Sequence, residues 1–496
     1  MPKKIFNIVI IGGGDECWAA ALLLAKQLKI SGQKIAVIEL GKNKKLKKIV
    51  AAGPSIRRFH QLIGVSEKEL IRQSIAIPSL GVELSSVESG RHFFHAYKHE
   101  DTESSSLDWP IVAAMSAQMN DDQDELCLAA AMARAERFID PERVSNEDYQ
   151  SLAVGWHLQL STYTQFLKNL ALEQGVILYE ALWVNSCCSD TGIGIEKVQL
   201  DQQREVFANL FVDFTASGLV EKNYRADCNF EFLYRYHEGA IGNGKKNSEL
   251  LVWSRSAFLM NYMPAVASLE FYGFECSDNR EIDNDFNNFA SNIFKNYCAS
   301  NNLDQQYVKF NVYDDASWSD NCIRIPPASS FPWDLICGYG ELTRRSMQRL
   351  LGCYADLSSI SVMAEEFNYY SALEADKYKQ FALIYLHLTE GVSKARLQEL
   401  FDPRVVNEVE HSISLFRSTA VISTCLSDLL TREQWISFFI GFGVVPISGG
   451  MVLDLIPSQK ILLLLAQRKD QVKKACDKAP LIGQYISYYL ANDRFL

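Results

Sequence analysis

A chain of 496 residues, 48% of them apolar and 22% charged, can bury a core for one large domain with insertions or for two or three modest ones. Its net charge of −11 argues against nucleic acid or an anionic membrane as a partner, since both repel an acidic surface. Twelve scattered cysteines with no Cys-x-x-Cys pair point to buried thiols in a reducing cytoplasm, not to a disulfide framework or a zinc site.

Lys3 and Lys4 before an apolar run could open a signal peptide, but Gly12 to Gly14 with Asp15 and Glu16 cut that run to strand length. From Asn7 to Ala25 the order is apolar strand, glycine-dense turn and Ala/Leu-rich helix, which is the order of a dinucleotide site. There the first glycine turns the chain and the next lets backbone approach a pyrophosphate. The helix N-terminus then offers unpaired N–H groups and partial positive charge to that anion. Gly12, Gly13 and Gly14 supply the turn. Cys17 stands at the third fingerprint position, where glycine or alanine is usual, and Trp18 follows it. The run Lys34-Ile-Ala-Val-Ile-Glu-Leu40 reads as the next parallel strand, and its Glu39 is placed to bind a ribose. A βαβ unit with a tight turn and no ligand has the same order, and Cys17 keeps that alternative open.

Five lysines between positions 41 and 48 read as a solvated loop that could also reach cofactor phosphates. Residues 55–73 have helical spacing, and Ile75 to Leu84, interrupted by Pro78, reads as an irregular edge strand. The polar stretches 99–108 and 120–125 read as surface loops of an inserted subdomain. Ser161 to Glu173 reads as an amphipathic helix stopped by Gly175. Val176 to Tyr179 and Leu210 to Gly218 then return the chain to the cofactor sheet. Residues 230–274 alternate like an antiparallel substrate sheet, and beyond Tyr339 the chain becomes a helical cap. Its predicted helices are 342–354, 374–388, 405–430 and 461–475. The apolar run from Trp435 to Pro446 is too short to span a membrane and reads as a buried helix and loop. The expected domains are therefore 1–345, a cofactor domain with insertions near 75–155 and 225–320, and 346–496, a helical C-terminal region.

Other constellations carry less. His92, His95 and His99 would share one face of a helix and could hold a metal, but the aromatics among them favour a strand or loop, so no metal site is assigned. No Gly-x-Ser-x-Gly elbow, Walker loop or His-Glu-x-x-His helix occurs, which removes the usual support for hydrolase or phosphotransferase chemistry. Cys187-Cys188 reads as structural.

The turn Gly12-Gly-Gly-Asp-Glu-Cys-Trp18 resembles that of the flavin-dependent tryptophan halogenases, typically Gly-Gly-Gly-Thr-Ala-Gly-Trp. The segment Ala52-Gly-Pro-Ser-Ile-Arg-Arg58 is similar to that family's Gly-Glu-Ala-Thr-Ile-Pro segment. Further echoes at Trp156-His157, Tyr163, Phe166-Leu167, Leu210 to Gly218 and Trp435 to Pro446 span nearly the whole chain. The resemblance implies an α/β fold: an FAD-binding, Rossmann-like βαβ core with an inserted mixed-sheet substrate region and a helical C-terminal cap. It also implies FAD held through Gly12, Gly13, Gly14, Cys17, Trp18 and Glu39, a flavin reductase as partner and an aromatic, indole-type substrate.

In that family a lysine presents electrophilic halogen to the substrate, with help from a glutamate. Here Ser79 of Pro78-Ser-Leu-Gly-Val82 stands at the lysine position, and no other lysine lies between Lys68 and Lys98. Leu259 and Asn261 replace the two tryptophans of a Trp-x-Trp-x-Ile-Pro motif, Trp333 stands at the glutamate, and Gly53 lacks the carboxylate of the Gly-Glu pair. Serine forms no haloamine and carries no charge. No catalytic residue is therefore assigned. Two functions follow as expectations: an FAD-dependent enzyme that is monooxygenase-like and not a true halogenase, or a non-catalytic accessory protein on the same scaffold.

Overall fold

The apolar run at the start of the chain forms β1 (Ile5–Gly12). Ile8 and Ile10 face one core and Val9 and Ile11 another, all fully buried, which is why the strand is apolar without alternation. The computed structural model describes residues 5–28, 32–41, 49–85, 92–98, 111–112, 123–188, 194–215, 230–239, 252–253, 267–276, 306–311, 317–325, 339–353, 360–389, 398, 403–426, 430–449 and 454–491.

Helix α1 (Asp15–Gln27) leaves the glycine turn and returns the chain to β2 (Ile35–Leu40). Strand β1 pairs in parallel with β2, from Ile8 opposite Ile35 to Gly12 opposite Glu39. Next come β3 (Ile49–Ala52), α2 (Ser55–Ile63) and α3 (Glu67–Arg72), then β4 (Ala76–Ser79), β5 (Gly81–Ser85) and β6 (His92–Ala96). Helix α4 (Leu128–Arg134), β7 (Gly155–Gln159) and α5 (Leu160–Glu173) lead to β8 (Ile177–Ala181), β9 (Val184–Cys188), β10 (Ile195–Leu200) and β11 (Glu205–Asp213). Strands β12 (Phe230–Gly239), β13 (Val252–Trp253), β14 (Ala267–Cys276), β15 (Gln306–Asn311), β16 (Ser317–Ser319) and β17 (Cys322–Arg324) follow.

The cofactor-type sheet has the order β16-β17-β11-β1-β2-β8, with β10 and β9 added antiparallel beside β11. Strands β17, β11, β1, β2 and β8 are mutually parallel. Helix α5 packs on α1, with Tyr163, Leu167 and Ala171 buried, and Gly175 ends the segment at φ 89°. A second sheet, β15-β12-β14-β13-β5-β6, is antiparallel throughout and draws on both expected insertions, joined where Trp253 pairs with Glu83. A third sheet has the order β3-β7-β4.

The C-terminal helices are α6 (Glu341–Cys353), α7 (Ile360–Thr389), α8 (Pro403–Thr419), α9 (Arg432–Gly441), α10 (Ser458–Lys478) and α11 (Ile482–Ala491). Three sequence expectations are corrected. Ile75 to Leu84 is two strands in different sheets, broken at Leu80. The helix expected over 405–430 stops at Thr419, where Ala420 takes a φ of 58°. Asp124, expected in a surface loop, is buried, accepts the Phe94 N–H at 3.1 Å and pairs with Arg134. Met347 and Leu350 of α6 belong to the same core as α1, together with Val472 of α10 and Tyr485 of α11. The lysine-rich loop 42–48 and the segment 99–108 lie outside the described residues.

Candidate functional site

The three glycines sit between β1 and α1. A Cβ on Gly12 would fall 2.9 Å from the Cβ of Phe214, so this glycine is already required by the chain leaving β11. Gly13 is half-buried. Gly14 caps α1 at φ 103°, where an L side chain is strained. The atom nearest to the position of its missing Cβ is Oε2 of Glu16, at 3.6 Å.

Cys17 is fully buried in α1. Burial, and after it Glu39 and Glu16, pushes its thiol pKa up, which keeps it a neutral packing group. Trp18, also fully buried, donates its indole N–H to Oε1 of Glu39 at 3.0 Å. Lys168 of α5 reaches Oε2 of the same carboxylate at 2.6 Å and lies 5.4 Å from the centre of the Trp18 ring. Glu39 is thus fixed from both sides at the end of β2, in register with Gly12. Each of its oxygens keeps a second lone pair for a further donor.

A feature absent from the sequence reading lies at the N-terminus of α1. Asp15 and Glu16 are buried, and the Tyr339 hydroxyl lies 3.0 Å from an oxygen of each. One hydroxyl proton serves one acceptor. Burial, then the neighbouring Glu16, raises the Asp15 pKa well above its usual value, against the hydrogen bond that Tyr339 donates. The backbone of Tyr339 is pinned too: its N–H donates to the Ala51 carbonyl at 2.7 Å, and its carbonyl accepts from Arg344 at 2.6 Å.

Arg344 also reaches Glu341 at 3.0 Å, Arg345 reaches the same carboxylate at 2.8 Å, and the Ser55 hydroxyl donates to it. Burial alone would raise the Glu341 carboxyl, but the two arginines and Ser55 outweigh it and hold it below the usual range. A buried carboxylate therefore reaches the turn after Gly53 from α6. His60 faces Tyr163 at 2.9 Å, and burial, with Arg344 and Arg57, pushes its pKa down to about 3. No short motif announces these partners, since Tyr339 and Asp15 are 324 residues apart.

Ser79 ends β4 fully buried and donates its hydroxyl to the Gly81 carbonyl at 3.0 Å. Leu259, Asn261 and Trp333 lie outside the described residues. Residues 92–96 form a strand, so a three-residue spacing there alternates faces and does not gather imidazoles as a helix would. Under the cap, Phe381, Trp435, Phe438 and Phe439 pack on one another and are fully buried. A cleft of about 320 Å³ outside α2 is lined by Arg57, Glu67, Lys68, Glu142, Arg143 and Tyr489 among others, a charged lining unsuited to an apolar ring.

A parallel sheet with a glycine turn and a strand-end acid, an antiparallel insertion and a helical cap define an FAD-type α/β fold. The family model for tryptophan halogenase matches residues 7–225 and 280–457, and the chain belongs to that family. Tryptophan 6-halogenase ThaL of Streptomyces albogriseolus is 23% identical over 236 residues, which is 43% of this chain and 43% of that protein. The chain thus spans less than half of that relative. Among solved structures, BrvH, a flavin-dependent halogenase from Brevundimonas sp. BAL3, superposes with a TM-score of 0.73 at 19% identity, covering 98% of this chain and 99% of that one. Xcc4156, a flavin-dependent halogenase from Xanthomonas campestris, gives 0.70 at 19% identity over 98% and 99%. At such identities the likeness concerns the fold.

These flavin-dependent relatives imply a cofactor of the FAD type. The residues present fit its adenosine end: Gly14 has no Cβ at the helix N-terminus, and Glu39 is held in register with Gly12. Glu16 is the group that departs from the fit. Among the described residues no helix is long and apolar enough to cross a membrane.

Proposed function

We propose that this chain is a flavoprotein of the tryptophan halogenase family that binds FAD at the β1–α1 turn and oxidises an aromatic, indole-type small molecule. The reaction is monooxygenation and not halogenation. The observation that carries this reading is Glu39, aligned with Gly12 and clamped by Trp18 and Lys168 in the place where a dinucleotide ribose needs an acid. Bound FAD would supply oxygen activation. The chain's own part would be to hold it: Glu39 would accept from the ribose hydroxyls, and the first N–H groups of α1 would bind the pyrophosphate. Ser79 has its hydroxyl committed to Gly81 and offers no amine to carry halogen. A flavin reductase is the partner this chemistry requires, and the cytoplasm is the compartment proposed.

The second reading, a non-catalytic accessory protein, is favoured by the acids that crowd the helix N-terminus. The two are separated by titrating the purified protein with FAD, then incubating it with a flavin reductase, tryptophan or indole, and oxygen, with and without chloride. Saturable binding and a hydroxylated product support the proposal. A chlorinated product refutes the monooxygenase assignment, and absence of FAD binding favours the accessory protein.

A further inference from the structure

The N-terminus of α1 already holds an anion that belongs to the chain. Glu16 sits in the first helical turn, and its carboxylate folds back so that Oε2 lies 3.6 Å from the point where Gly14 would carry a Cβ. That distance is ordinary van der Waals contact, so the carboxylate covers the open face of the glycine. Its other oxygen lies 3.0 Å from the Tyr339 hydroxyl, which also meets Asp15. Tyr339 is itself anchored through its backbone to β3 and to Arg344, so Glu16 is held over Gly14 by an element more than three hundred residues away.

Gly14 has no packing reason to be glycine apart from its backbone angle. Phe214 crowds the missing Cβ of Gly12, whereas at Gly14, among the described residues other than its chain neighbours, this carboxylate is the group within 4 Å. The face that a pyrophosphate would approach is therefore the face that Glu16 occupies, and the partial positive charge of the helix end that would attract phosphate is already answered.

The geometry points to Glu16 as a resident anion that competes with the cofactor pyrophosphate at Gly14, latched in place by Tyr339. This inference rests on the reading of the turn as the flavin site and adds how that site is controlled: FAD enters only when the Glu16 carboxylate swings off Gly14. Asp15 is the second strut of the latch.

The test is equilibrium titration with FAD, followed by quenching of flavin fluorescence, on the full-length wild type, Glu16→Ala, Glu16→Gln and Tyr339→Phe. Thermal unfolding of each protein confirms that it is folded. Glu16→Gln keeps the side-chain shape, so it separates charge from space and serves if the alanine variant folds poorly. We expect Glu16→Ala to bind FAD at least about tenfold more tightly than wild type, with Glu16→Gln and Tyr339→Phe also tighter. A wild type that binds no measurable FAD beside a Glu16→Ala that does would support the latch and overturn the reading of the wild type as a working flavoprotein in favour of the accessory protein. Equal affinity in all four proteins would overturn the latch and leave the flavin reading standing. Failure of every folded variant to bind FAD would overturn both.

Discussion

Trp18 and Glu39 are joined by a hydrogen bond of 3.0 Å from indole N–H to carboxylate, linking the helix that follows the glycine turn to the strand that ends in the acid. The bond explains why a tryptophan occupies a fully buried place on α1 and keeps Glu39 at the rim of the sheet. Trp18→Phe would preserve most of the ring packing and leave the carboxylate without this donor. A hydrogen bond to a charged group is worth about 1.5–3 kcal/mol, so urea unfolding should show a loss of that order. An unchanged midpoint would mean that the bond contributes nothing.

Gly14→Val places a branched side chain at φ 103°, on the face covered by Glu16. The strain is on the order of 1–3 kcal/mol. We expect a lower melting temperature, a retained sheet signal in circular dichroism and loss of FAD binding. Flavin affinity equal to wild type would contradict the assignment of this turn.

Ser79→Lys tests whether a lysine at this position is enough to give halogenation. Ser79 is 1% exposed, with its hydroxyl on the Gly81 carbonyl, so a lysine there has to bury a charge or give up its proton. The variant should be destabilised by several kcal/mol in urea and should yield no chlorinated tryptophan by mass spectrometry. Chlorinated product from this variant would show that the rest of the halogenating site is intact.

Stability should fall in acid for a nameable reason. Burial holds His95 and His157 neutral down to about pH 4 and His60 down to about pH 3, whereas in the unfolded chain each ring protonates near pH 6.5. Below pH 6.5 the unfolded chain therefore binds more protons than the folded one, and unfolding becomes easier as pH falls toward 4. Among the described residues, neither ring nitrogen of His95 or of His157 has a hydrogen-bond partner. His157→Phe should thus cost little at pH 7 and should flatten the fall of the urea midpoint between pH 6.5 and 4. A slope identical to wild type would remove His157 from the account.

What was legible in the sequence was local. The apolar run from Ile8 to Ile11, the glycines and Glu39 announce β1, the turn and β2, because strand period and turn chemistry act over a few residues. The end of α8 was not legible, since helical spacing continues past Ala420 and only the left-handed backbone there stops the helix. The break at Leu80 was missed because Ser79 closes a bond to Gly81 that no pattern reveals. Asp15 and Glu16 were visible only as charges that end an apolar run. Their meaning depends on Tyr339, which reaches them from the far end of the chain.

The most direct test of the central claim is an equilibrium titration of wild type and Gly14→Val with FAD, read by flavin fluorescence. The account predicts saturable binding to the wild type, weak because Glu16 competes, and none to Gly14→Val. Binding that is the same in both proteins, or absent from the wild type and from Glu16→Ala alike, would contradict it.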